Sequence, residues 1–85
     1  MRTLPTKLVA LEAAKKQVDL ARRQVEAART LAQAERDKFD EGASDLVIVN
    51  LRELAAAEAQ RLEVKAMAEY QKAVADYKTA TGEGI

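Results

Sequence analysis

The sequence predicts an all-α protein: an antiparallel two-helix coiled-coil hairpin that associates further into a bundle. Three observations carry that expectation. The composition is rich in Ala, Glu, Lys, Leu and Arg, with one proline and three glycines, the signature of long helices. Leu4, Leu11, Val18, Val25, Ala32 and Phe39 recur every seven residues without a miss. Helix-forming signals fail at only one internal place, Asp40-Glu41-Gly42-Ala43-Ser44-Asp45.

The first helix is expected over about 5–40. Pro5 suits a first turn, where a missing N–H costs nothing, and no Gly or Pro follows until Gly42. Taking Leu4 as heptad position a, the d positions are Lys7, Ala14, Ala21, Ala28 and Glu35, a seam with small residues on one side. A second, weaker stripe runs through Ala13, Leu20, Ala27 and Ala34, beside Leu31.

The turn is expected at about 41–44. Gly42 fits the left-handed residue that closes a helix, and Ser44 or Asp45 can cap the next one. The second helix is then expected over about 45–81, ended by Gly82, with Gly84 repeating the stop. Met67, Tyr70, Val74 and Tyr77 make one seam of that helix, and Ala59, Ala66, Ala73 and Ala80 line another with Leu62. The two tyrosines, one heptad apart, read as seam residues with hydroxyls in water rather than as a stacking platform for bases. Two stripes per helix call for neighbours on both sides. Charged pairs four residues apart, such as Glu12–Lys16, Lys15–Asp19, Asp19–Arg23 and Arg22–Glu26, each add about 0.2–0.5 kcal/mol and mark a solvated face.

Composition also excludes functions. Eighty-five residues allow one small domain or a segment of a larger protein. Fourteen basic residues balance fourteen acidic ones, so nucleic-acid binding through phosphate contacts is not expected. Neither Cys nor His is present, which removes the thiolate nucleophile, the zinc–sulfur site and the near-neutral acid–base group. Ser44, the only serine, has no base to activate it. The chain is therefore read as no enzyme, without cofactor. Asp37, Asp40, Glu41 and Asp45 cluster at the turn, but the alternating ligands and twelfth-position Glu of an EF-hand loop are missing, so no metal is expected. No run of 18 apolar residues occurs, and membrane contact by this segment is not expected. Met1-Arg2-Thr3-Leu4-Pro5 has no apolar core of a secretory signal.

One segment resists a simple surface-helix reading. Leu46-Val47-Ile48-Val49-Asn50-Leu51 is apolar on every side of a helix, and β-branched residues favour strand. The strongly helical run after it, and the capping residues before it, favour a helix whose first two turns are covered by another chain.

The residues from Ala34 to Leu46 (AERDKFDEGASDL) resemble the periplasmic hairpin of TolC-like outer membrane efflux proteins. Arg52-Glu53-Leu54-Ala55-Ala56-Ala57-Glu58-Ala59 and the closing Tyr77-Lys78-Thr79-Ala80-Thr81-Gly82 are similar to that family too. The family shows an aromatic residue and then Gly at the helix end, a short turn, an apolar helix start and an Ala-rich helix closing on Gly. The resemblance covers nearly the whole chain. It implies a segment of a homotrimeric parent in the outer membrane of a Gram-negative bacterium, with this part in the periplasm. That parent joins a barrel in the membrane to a periplasmic tunnel of helices, linked by a periplasmic adaptor protein to an inner-membrane pump. It further implies that Gly42, Ala43, Ser44, Asp45 and Leu46 form the adaptor-contacting tip, and that Val47 and Leu51 lie at the tunnel-entrance constriction. Many relatives carry an Asp near the Leu51 position; Asn50-Leu51-Arg52 departs from that and points to an apolar constriction rather than an ionic one. Alone, the segment is expected to self-associate. Two alternatives stay open: the hairpin of the periplasmic adaptor itself, whose tips usually carry an Arg and Leu followed by Ser, and a purely structural coiled coil. An amphipathic lipid-surface pair is disfavoured by the Ala-rich seams.

Overall fold

A computed structural model describes residues 3–82; Gly84 lies outside the described residues. Among these residues the chain forms two helices and no strand, α1 (Thr3–Asp40) and α2 (Leu46–Thr81), packed against each other as a hairpin. At 1.5 Å per residue helices of 38 and 36 residues make a rod, and the molecule measures 62 × 17 × 14 Å. Its radius of gyration is 18.8 Å, against about 12 Å for a compact domain of this length.

The heptad predicted for α1 is the one that packs. Val18, Ala21 and Val25 are buried, and Lys7, Leu11, Ala14, Ala28, Ala32 and Glu35 are half-buried along the same line. In α2 the packing differs from the expected pair of separate seams. Val49 is buried, and Ala56, Ala59, Glu63, Ala66, Tyr70, Ala73, Val74 and Tyr77 are half-buried, while Ala80 is exposed, so the alanine row and the tyrosine row interleave as the d and a positions of a single seam, with Val74 beside them. Leu62 and Met67 sit at its margins, 37% and 40% exposed. Of the expected surface pairs, Asp19–Arg23 forms and Arg22–Glu26 does not. Asp19 bonds Arg23 one turn on, at 3.0 Å, whereas Arg22 turns across the seam toward Glu63, at 3.7 Å, instead of toward Glu26.

Both chain reversals follow from local chemistry. Gly42 takes φ +79°, the left-handed region where a side chain is penalised. There its N–H donates to the Phe39 carbonyl at 3.0 Å, and the Ala43 N–H donates to that of Lys38 at 2.8 Å. These two bonds are the Schellman closure of α1. Gly82 repeats the left-handed exit at φ +85°, its N–H donating to the Thr79 carbonyl.

A Val49→Ala substitution removes the most completely buried side chain, at 0% exposure, and is expected to lower the unfolding free energy by about 2 kcal/mol. Val47→Ala, two residues away and 67% exposed, should stay within about 0.5 kcal/mol. Urea titration followed by circular dichroism checks both.

Candidate functional site at the hairpin tip

The tip is built from the end of α1, a five-residue connection and the first turns of α2. Asp45 adopts an extended backbone (φ −121°, ψ 163°), and its carboxylate accepts the Ile48 N–H at 3.0 Å. This is an N-cap, and a negative charge there also suits the positive end of the helix dipole. Of the two capping candidates, Asp45 takes the role. Ser44, half-buried, instead donates its hydroxyl to the Glu35 carboxylate. One turn further from the tip, Arg36 donates to Glu53 across the two helices. That bond holds the guanidinium pKa above its ordinary value.

These contacts fix the turn from both sides. Glu35 and Arg36 on α1 grip Ser44 and Glu53, while Val49 fills the space between the helices. Sequence reading gave Glu35, Arg36 and Glu53 no functional role. The available signal was Glu35 itself, a charged residue at a seam position where an apolar one packs better.

With Val49 turned inward, the rest of the apolar run faces water. Leu46, Val47 and Leu51 are 54%, 67% and 60% exposed, and Ile48, Leu54 and Phe39 add to the surface. The run is helical, so the strand alternative is set aside. Gly42, Ala43 and Asp45 are exposed at the crest, beside Asp40 and Glu41. The structure thus brings the seven predicted tip and constriction residues into one small region, apolar on its α2 side and acidic at its crest. Among the described residues no cluster of three or more acidic side chains is placed to hold a metal ion, and no helix is long and apolar enough to cross a membrane.

No family model, curated protein or solved structure matches this chain.

Removing the cap by Asp45→Ala is expected to cost about 1 kcal/mol. Gly42→Ala should cost about 1–2 kcal/mol because alanine must enter the left-handed region. Hydrogen exchange at the amides of Ala43 and Ile48 is expected to accelerate in both variants while exchange near Val18 is affected less.

Proposed function

We propose that the chain is the periplasmic tunnel hairpin of a TolC-like outer membrane efflux channel, and that its tip docks on a periplasmic adaptor within a tripartite export pump. The observation that carries the reading is the exposed apolar surface of Leu46, Val47 and Leu51 on a turn fixed by a Schellman closure, an Asp cap and the Arg36–Glu53 bond. Isolated exposed apolar residues are ordinary, but a contiguous group on a rigid turn marks an interaction site. A free-standing hairpin would place charge at these positions. Pre-ordering the tip lowers the entropic cost of docking.

The partner's chemistry follows from the surface. Its contact residues should be apolar toward Leu46, Val47 and Leu51 and basic or amide-rich toward Asp40, Glu41 and Asp45. The segment supplies no catalytic group; transport belongs to the trimeric parent, in which Val47 and Leu51 narrow the tunnel entrance as an apolar constriction.

NMR titration of the isotope-labelled chain with an adaptor hairpin from the same organism tests this reading. Shifts are expected to concentrate between Gly42 and Leu51, and Leu46→Glu or Leu51→Glu should weaken binding roughly tenfold or more. Absent shifts, or shifts confined to the open end near Tyr77, would contradict it.

A further inference from the structure

Charge along one side of the seam does not balance from end to end. On α1, Lys15, Arg22, Arg29 and Arg36 recur every seven residues, so they form one row beside the seam. The α2 residues set against that row change character along the rod: Glu53 by Arg36, Gln60 by Arg29, Met67 by Arg22. Near the tip the cation is answered by a carboxylate. Further from it, the cation meets an amide and then a thioether.

Two cavities lie along this row. The one nearer the tip, about 380 Å³, is lined by Arg29, Gln33, Arg36, Glu53 and Gln60 together with alanines. Arg36 is already held there by Glu53, and alanine offers little apolar area to a ligand. The other is a groove of about 580 Å³, within the range of small-molecule sites. Its base is apolar, formed by Val18 at 8% exposure, half-buried Tyr70 and Met67. Its wall on α1 runs from Glu12 to Arg22, about 15 Å at 1.5 Å per residue.

The rim is charged, and its balance decides what the groove can take. Lys15, Lys16 and Arg22 are interleaved with Glu12 and Asp19. Asp19 is engaged by Arg23 at 3.0 Å, whereas Arg22 reaches Glu63 only at 3.7 Å. With those two outside partners included, four cations stand against three carboxylates, leaving one positive charge in excess. Among the described residues Glu12, Lys15 and Lys16 make no ion pair. A dianion here would meet Glu12 and Asp19 as well as the cations, whereas a single negative charge matches the excess.

We propose that this groove binds a singly charged amphiphilic anion, an alkyl carboxylate whose chain lies over Val18, Tyr70 and Met67 and whose head group pairs with Lys15 at the rim. Taking the chain out of water supplies most of the affinity. An ion pair at an exposed rim adds little, but it selects the sign of the charge. A ligand of about a dozen heavy atoms then binds with a Kd of about 1 mM. The inference does not rest on the efflux reading, because the groove uses none of the tip residues.

Decanoate, kept below its micellar concentration, is titrated into the isotope-labelled chain and followed by NMR. Decyltrimethylammonium serves as a probe of equal chain length and opposite charge. Saturable amide shifts are expected at about 12–22 and 67–71, with decanoate bound roughly fivefold more tightly than the cation. Lys15→Glu should weaken decanoate binding roughly fivefold at unchanged helicity. Lys65→Glu makes the same charge change outside the groove and should leave binding within about twofold. Shifts centred on Leu46, Val47 and Leu51 would show that the chain only collects on exposed apolar surface, and would overturn the proposal. Equal affinity for the two probes, equal effects of the two substitutions, or shifts that never saturate would overturn it too.

Discussion

Two helices can bury only the line along which they touch, and that constraint governs the rest of this molecule. A seam of a and d positions is all that a lone hairpin can keep dry. Here much of the seam is alanine, which permits close approach but removes little apolar area from water. Among the described residues, the buried hydrophobic core is Val18, Ala21, Val25 and Val49. Three half-buried charges, Lys7, Glu35 and Glu63, occupy seam positions, and the two glutamates are met by Ser44 and Arg22. A largely solvated ion pair such as Arg22–Glu63 contributes about 0–1 kcal/mol. The hairpin is well specified in register but thinly supported by burial.

That division explains where the structure is firm. The tip is over-determined: a left-handed glycine, two Schellman bonds, an aspartate cap, a serine–glutamate bond, an interhelical ion pair and one enclosed valine all fall within about three helical turns. Toward the open end, Tyr70 and Tyr77 are half-buried. These contacts surround the exposed apolar group of Leu46, Val47 and Leu51. A binding surface held that way loses less entropy on docking.

Much of this was legible in the sequence. The unbroken seven-residue recurrence from Leu4 to Phe39 set the buried face of α1, because at helical pitch only that line can meet a partner. Gly42 and Asp45 declared the turn, since each residue type solves a specific backbone problem there. The seam of α2 was harder to read. Met67 is larger than Ala59 and Ala66 and suggested a seam beside them, yet a close helix contact selects small residues and leaves Met67 at its margin, while Val74 stays half-buried. The run Leu46–Leu51 raised the expectation of a cover but did not disclose that Val49 alone would turn inward. That choice depends on the angle at which α2 leaves the cap. The Ser44–Glu35 bond was invisible because it joins residues on either side of a turn whose geometry must be known first.

If burial within one hairpin is insufficient and neighbouring copies supply the remainder, thermal stability must depend on protein concentration. Melting followed by circular dichroism over a hundredfold range of concentration tests this most directly. The account predicts a Tm that rises steadily with concentration and a loss of helicity on strong dilution. A single cooperative transition at the same temperature throughout, from a species sedimenting as a monomer, would contradict it.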